Sequence, residues 1–146
     1  MRVQKSIDIA APTSKIWPFF VEPEKILQWC ITFKKFEYTS AQHGGLEAPI
    51  YIEEQAGGPL MKMHFKITEC IENEKLSLKM VSGTGVKSYE QSWVIMTTQT
   101  GSRFTFMEDI TLPYGVFGKL LGLILEGMSA STVDKMLIKL KGLTEV

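Results

Sequence analysis

The sequence predicts an α+β protein in which about seven antiparallel strands form a curved sheet around one long C-terminal helix. Three observations predict this fold class. β-type segments joined by short turns fill most of residues 31–112, and neighbouring strands joined by tight turns pair antiparallel. Residues 114–143 carry apolar side chains at helical spacing. A first strand and two short helices precede both of these regions.

The first 29 residues predict one strand and two helices. Residues 2–9 alternate polar and apolar side chains, which is typical of a half-buried strand. Residues 11–14 (APTS) form a helix-start signal, and Pro23 can open the second helix. Pro18 costs little in a first turn but kinks a helix if it lies deeper. The apolar faces of the two helices come from Ile16, Trp17, Phe19, Phe20, Ile26, Leu27 and Trp29.

The later strands are predicted from β-prone residues and from alternation between breaks. Residues 61–71 show the clearest alternation of apolar and polar side chains. Phe33 and Phe36 are out of phase, which a β-bulge near Lys34 and Lys35 would explain. Turn-prone breaks fall at residues 43–45, 57–59, 73–74, 83–85 and 100–102.

The terminal helix is predicted to bury a broad apolar stripe against the sheet. Its first half contains four glycines, which either permit close packing on the sheet or let the helix bend to admit a ligand. Residues 112–125 are too few to cross a bilayer, so we expect a buried helix and no stable membrane insertion. The stripe consists of Phe117, Leu120, Leu121, Ile124, Leu125, Met128, Val133, Met136, Leu137 and Leu140.

Composition predicts one domain, residues 1–146, with no general attraction to nucleic acid. The 16 basic and 16 acidic residues cancel. Cys30 and Cys70 form no C-x-x-C pair, and we interpret both as buried or half-buried thiols in a reducing compartment. The N-terminal residues lack the apolar core of a secretory signal, so we expect a cytoplasmic protein. The sequence leaves open a monomer or a homodimer.

Two regions of the chain resemble a known superfamily. The pattern VQKSIDIAAPTSKIWPFFVEPEKILQW (residues 3–29) is similar to the opening of the START/polyketide cyclase-dehydrase (SRPBCC) proteins, and the segments TGSRFTFMEDI and LIKLKGL match their close. The resemblance spans nearly the whole chain. It implies the helix-grip fold, with an apolar cavity between the sheet and the C-terminal helix. Members bind lipids, sterols, quinones, plant hormones or polyketides; some cyclise or dehydrate polyketides, and others act as assembly factors or co-chaperones.

Polar residues in phase with apolar ones are the candidates for function. Glu108 shares a strand face with Phe106, Tyr89 and Gln91 share one with Trp93, and Glu69 is in phase with neighbouring apolar residues. Buried carboxyl groups tend to be paired, protonated or used. We hypothesise that Glu108, Tyr89 and Gln91 orient the polar end of an apolar ligand, with Glu108 or Tyr89 as candidate acid or base. The alternative is that Glu108 lies at a rim, or pairs with Arg103 or a lysine.

The predicted ligand is a small hydrophobic molecule such as a lipid, a quinone or a polyketide. The leading interpretation is a carrier or sensor, because no known catalytic motif is present. The alternatives are a polyketide cyclase or dehydratase and a protein-interaction module. Two isolated histidines, His43 and His64, predict no metal site, and no cofactor is implied. The predicted lining is Met61, Met63, Phe65, Leu78, Met80, Tyr89, Gln91, Trp93, Phe104, Phe106, Glu108, Phe117, Leu121 and Ile124.

Overall fold

The computed structural model describes residues 1–146 and confirms the predicted α+β architecture. Seven strands and four helices follow one another along the chain. Their bounds are β1 (Arg2–Ile9), α1 (Thr13–Ile16), α2 (Pro18–Val21), α3 (Pro23–Trp29), β2 (Phe33–Tyr38), β3 (Pro49–Glu54), β4 (Met61–Ile71), β5 (Lys75–Gly83), β6 (Ser88–Thr98), β7 (Gly101–Thr111) and α4 (Gly115–Thr144).

All seven strands belong to one antiparallel sheet in the order β1-β7-β6-β5-β4-β3-β2. Strands β2 to β7 therefore form a meander, and β1 joins its far side beside β7. Helix α4 packs mainly on β1, with smaller contacts to α3 and β7. The sheet and the helix together form the helix-grip arrangement that the resemblance implied.

Bulges decide which side chains face the core. The pairing of β2 with β3 shifts between Phe33 and Lys35, which is the predicted bulge. The pairing of β4 with β5 shifts twice, between His64 and Phe65 and between Ile67 and Glu69. The expectation that Glu69 is in phase with the buried face is therefore wrong: the bulge turns its side chain outward, where it pairs with Lys75 at 3.1 Å.

Three short helices, rather than the predicted two, follow β1. Helix α1 ends at Ile16, and α2 starts at Pro18. Proline has no N–H to donate to the preceding turn, so a new helix begins there, with Pro18 in its first turn. Pro23 opens α3 in the same way, as the sequence predicted.

An aromatic cluster joins these helices to the sheet. The rings of Trp29 and Trp93 lie 5.1 Å apart, and Phe20 lies 5.6 Å from Trp93 and 5.3 Å from Phe104. All four side chains are fully buried. Trp29 Nε1 also donates a 2.8 Å hydrogen bond to the carbonyl of Phe19, so its one polar atom is satisfied.

Helix α4 has the predicted length but not the predicted burial. Its second half is anchored by Val133, Met136, Leu137 and Leu140. In its first half the buried residues are Gly118 and Gly122. Gly118 packs tightly on Leu112, because a Cβ there would lie 3.2 Å from the Leu112 Cβ and carbonyl oxygen, whereas a Cβ at Gly122 would make an ordinary contact of 3.6 Å with Met1 Cβ. Close packing therefore explains Gly118.

The apolar side chains of this first half point away from the sheet. Phe117 is 79% exposed, Ile124 is 70% exposed and Leu121 is 41% exposed. The prediction of a buried helix is therefore wrong for this half, because the glycine stripe, not the bulky stripe, faces the protein. By length and composition α4 is apolar enough to cross a membrane, and 17% of its most apolar window is buried.

A substitution at Gly101, at the start of β7, would test how closely this residue packs against the junction of β1 and α1. Its φ is +147°, and a Cβ there would lie 2.2 Å from the carbonyl oxygen of Ile9. We expect Gly101→Ala to lower the free energy of unfolding by about 2–4 kcal/mol. The matched control is Gly127→Ala in α4, where a Cβ meets nothing within 4 Å. This change should stabilise the protein by about 0.5–1 kcal/mol.

Urea unfolding followed by tryptophan fluorescence measures both changes. Equal effects of the two substitutions would contradict the packing described for Gly101.

Candidate functional site

Four polar side chains from three strands meet inside the curved sheet. Glu54 ends β3, Tyr89 and Gln91 lie on β6, and Glu108 lies on β7. Each alternates with apolar residues that face the core, so the pleat of the strand carries it inward. Their exposed fractions are 3% for Glu54, 1% for Tyr89, 2% for Gln91 and 9% for Glu108. We call these four residues the polar cluster.

The hydroxyl of Tyr89 is the centre of the polar cluster. Its Oη lies 2.7 Å from Glu54 Oε1 and 2.8 Å from Glu108 Oε1. Gln91 Nε2 donates to the same Oη at 2.7 Å and approaches Glu108 Oε1 at 3.3 Å. One phenol therefore links two carboxyl groups and one amide.

The aromatic cluster fixes the orientation of Gln91. Trp93 Nε1 donates a 2.9 Å hydrogen bond to Gln91 Oε1. Because the amide oxygen is occupied, the amide NH₂ must face Tyr89 and Glu108. The hydrogen bond from Trp93 therefore determines that the Gln91 amide donates toward Tyr89 and Glu108.

The segment after α3 closes the other side of the cluster. Thr32 Oγ1 donates to Glu54 Oε2 at 2.6 Å, so both oxygens of Glu54 have partners. Cys30 is fully buried nearby. Burial, reinforced by the charges of Glu54 and Glu108, raises the pKa of the Cys30 thiol well above its ordinary value. The thiol is therefore held protonated and is a poor nucleophile.

The hydrogen bonds of Tyr89 require an additional proton. A phenol has one proton to donate, yet its oxygen contacts both carboxyl groups at hydrogen-bond distance while also accepting from Gln91. Tyr89 can donate to one carboxylate only, so the other carboxyl group must donate to Tyr89. The geometry is satisfied when Glu54 and Glu108 hold one proton between them.

The electrostatics of the site agree with this proton count. Burial, followed by the charge of Glu54, raises the pKa of Glu108 from its ordinary 4.5 to about 7, against the hydrogen bonds from Tyr89 and Gln91 that lower it. Burial also raises the pKa of Glu54. Burial and the two carboxylates raise the pKa of Tyr89 well above its ordinary value, so Tyr89 stays a neutral donor. The cluster can therefore accept or release a proton near neutral pH.

The structure sorts the predicted lining residues into three groups, while their contact with a ligand stays a prediction. Most of the strand residues are buried, namely Met63, Phe65, Leu78, Trp93, Phe104 and Phe106. Met61 and Met80 are half-buried. The helix residues Phe117, Leu121 and Ile124 are exposed, so the structure does not bring them to the concave face.

The structure contains no ion pair between Glu108 and Arg103 or a lysine. Arg103 pairs with Asp8 at 2.9 Å and does not reach Glu108. His64 points outward beside Tyr51, and His43 stacks on Tyr38 at 5.6 Å. No group of three His, Cys, Asp or Glu side chains is placed to hold a metal ion.

Sequence reasoning missed Glu54 and Thr32. Glu54 follows Ile50 and Ile52 at a spacing of two, and both isoleucines are buried. This alternation is the signal that indicates an inward Glu54. Thr32 lies in the turn before β2, where no periodicity applies.

Two surface cavities have walls that contain no residue of α4. The larger, of about 450 Å³, lies between the α2–α3 junction and β2, and its walls are Val21, Glu22, Pro23, Phe36, Glu37, Tyr38 and His43. Tyr38 Oη donates to the carbonyl of Val21 at 2.7 Å across this groove. The smaller, of about 130 Å³, is lined by Arg2, Glu90, Gln91, Ser92, Met107, Glu108 and Asp109.

A curved antiparallel sheet, a long C-terminal helix and short helices after the first strand together define a helix-grip protein. A family model described as polyketide cyclase / dehydrase and lipid transport matches residues 1–145, and the chain belongs to this family. No curated protein sequence matches the chain significantly.

Solved structures share the fold at low sequence identity. TTHA0849 from Thermus thermophilus superimposes with a TM-score of 0.80 at 18% identity, covering 97% of this chain and 95% of that one. The Zhui aromatase/cyclase from a Streptomyces species gives 0.77 at 12% identity, covering 99% and 93%. A START superfamily protein from Mycobacterium smegmatis gives 0.75 at 16% identity, covering 99% and 97%.

The raised pKa of Glu108 predicts a pH-dependent stability. Its folded pKa of about 7 exceeds the ordinary 4.5, so its contribution is fully present below about pH 4.5 and is lost as the pH rises through about 7. The loss should amount to about 3 kcal/mol by about pH 8. Glu108→Gln removes the ionisation, so the variant should lose less stability than the wild type between about pH 5 and 8.

Urea unfolding of both proteins across this pH range measures the difference. Parallel profiles for the wild type and Glu108→Gln would contradict the burial of an ionisable Glu108.

Proposed function

We propose that this protein binds a small hydrophobic molecule between the concave face of the sheet and α4, as a carrier or sensor. The observation that carries the proposal is the polar cluster, set in an otherwise apolar wall. A site of this composition buries an apolar ligand and fixes its direction through a few hydrogen bonds. Membership of a family described by lipid transport as well as cyclase activity supports the proposal.

The attachment of α4 supports a route of entry. Its first half touches the rest of the protein mainly through Gly118 and Gly122, whereas its second half is anchored by large buried side chains. Few buried apolar contacts mean a low free energy of local opening. The first half of α4 can therefore move away from the sheet while the aromatic cluster stays packed.

A second candidate function is acid–base catalysis on a polyketide-like substrate. The observation that favours it is the pair Glu54 and Glu108, which share one proton through Tyr89. A group with a pKa near 7 is suited to both taking and giving a proton at neutral pH. Structural similarity to the Zhui aromatase/cyclase adds fold-level support only.

A third candidate, an interaction module, is favoured by the exposed apolar side chains on α4. It differs from the first two candidates because it needs no small ligand.

Native mass spectrometry of freshly purified protein, followed by extraction, tests ligand binding. We expect one hydrophobic molecule per chain. Tyr89→Phe removes the central hydroxyl and should weaken recapture of that molecule about 3–10-fold. The matched control is Tyr51→Phe, because Tyr51 bonds Glu53 on the outer face of the sheet and should leave the affinity unchanged.

Recovery of unliganded protein that takes up no hydrophobic molecule would overturn the carrier and favour the interaction module. Turnover of a poly-β-keto chain that Glu108→Gln lowers by about 100-fold or more would establish the enzyme instead.

A further inference from the structure

We propose that the polar end of the ligand is a hydrogen-bond donor without negative charge, namely a hydroxyl, a phenol or a protonated amine. The polar cluster excludes ligands that end in a carboxylate or a phosphate. This inference rests on the proposed ligand-binding function and specifies the chemical class that the same site accepts.

The first argument counts the hydrogen-bonding atoms that remain free. Both oxygens of Glu54 have partners, the Tyr89 hydroxyl is fully used, and the Gln91 amide is divided among Trp93, Tyr89 and Glu108. Glu108 Oε2 makes no hydrogen bond to the protein, and it keeps some accessible surface, since no fully buried side-chain oxygen or nitrogen lacks a partner. The atom left to meet a ligand is therefore this oxygen.

The second argument identifies that oxygen as an acceptor. The proton shared by Glu54 and Glu108 is needed between Glu54, Tyr89 and Glu108 Oε1, where it satisfies the two short contacts of Tyr89 Oη. Oε2 then carries lone pairs and no proton. An acceptor of this kind is satisfied by O–H or N–H on the ligand, whereas a carboxylate or a phosphate brings further acceptors.

The third argument concerns charge. The buried polar residues include no lysine, arginine or histidine. None of the eight salt bridges involves Glu54 or Glu108. The charged and titratable groups that act on Glu108 are Glu54, Tyr89 and the N-terminal amino group, whose influence is the weakest.

A ligand carboxylate would therefore join two protein carboxyl groups, and the one cation that acts on Glu108, the N-terminal ammonium, has the weakest influence and already donates to the carbonyl of Ile110. Like charges brought together at low dielectric repel strongly, and a buried charge without a partner is costly. A protonated amine or a neutral hydroxyl meets no such penalty.

The test compares two ligands that have the same twelve-carbon chain length and differ in their polar group. Pyrene, an uncharged hydrocarbon with fluorescence sensitive to its surroundings, is titrated into the intact protein and then displaced by 1-dodecanol or by dodecanoate at about pH 8. At this pH dodecanoate is ionised, and Glu108, with a pKa of about 7, has also lost its proton, so Oε2 remains an acceptor and the repulsion is greatest. We expect dodecanol to displace pyrene at about tenfold lower free concentration than dodecanoate, a difference of about 1.4 kcal/mol.

Glu108→Gln removes the charge while keeping the shape, so it should reduce the preference for dodecanol to about threefold or less. Glu54→Gln provides a second removal of charge if the first variant does not fold. The matched control is Glu53→Gln, because Glu53 is the neighbour of Glu54 on the opposite face and bonds Tyr51. It should keep the wild-type preference.

Equal or stronger displacement by dodecanoate in the wild type would overturn the inference. So would an unchanged preference in a folded Glu108→Gln or Glu54→Gln protein. In both cases saturable binding of pyrene would leave the proposed ligand-binding function intact. Failure of pyrene and of both competitors to bind would reject the proposed function, and this inference with it.

Discussion

The rest of the structure depends on the packing of Trp29 against Trp93 in the hollow of the sheet. This contact, with ring centres 5.1 Å apart, joins α3 to the middle of β6. Burial of aromatic rings supplies much of the favourable free energy of a small core. It also controls the chemistry, since Trp93 orients Gln91 and Gln91 orients the hydrogen bonds of Tyr89 and Glu108. The apolar core and the polar cluster are therefore one connected structure.

Burial of the polar cluster is energetically unfavourable for a core of this size. Burial of a carboxyl group costs free energy unless it is hydrogen-bonded, paired or protonated. Glu54 and Glu108 nevertheless remain buried, linked by a phenol that stays protonated. Sites that sacrifice stability in this way are typical of function, where a poised proton or a directed hydrogen bond is required.

Most of the fold followed from alternation, and the errors have identifiable causes. The period of two in β6 and β7 correctly placed Tyr89, Gln91, Trp93 and Glu108 on the inner face. It failed at Glu69 because one extra residue in β4 reverses the phase.

Alternation also says nothing about contacts between distant strands. The meeting of Glu54 with Glu108 depends on the curvature of the whole sheet and was not visible in either segment.

The terminal helix shows the limit of helical periodicity. The apolar positions predicted a face, but they did not say that Gly118 and Gly122 would form it. Bulky residues ordinarily outweigh glycine when a helix selects its buried side. Here Leu112 lies so close to Gly118 that an added Cβ would be 3.2 Å from the Leu112 Cβ and carbonyl oxygen, so glycine is favoured at this contact.

The exposed half of α4 also affects how the protein behaves in solution. The formal net charge of the whole protein at pH 7 is zero, so molecules at neutral pH experience little mutual electrostatic repulsion. An apolar surface combined with weak repulsion favours reversible clustering as the protein is concentrated. Colloidal stability should therefore improve as the pH moves away from neutrality, whereas added salt has no net repulsion to screen. The same helix that makes the fold recognisable thus sets the concentration at which the molecule stays dispersed.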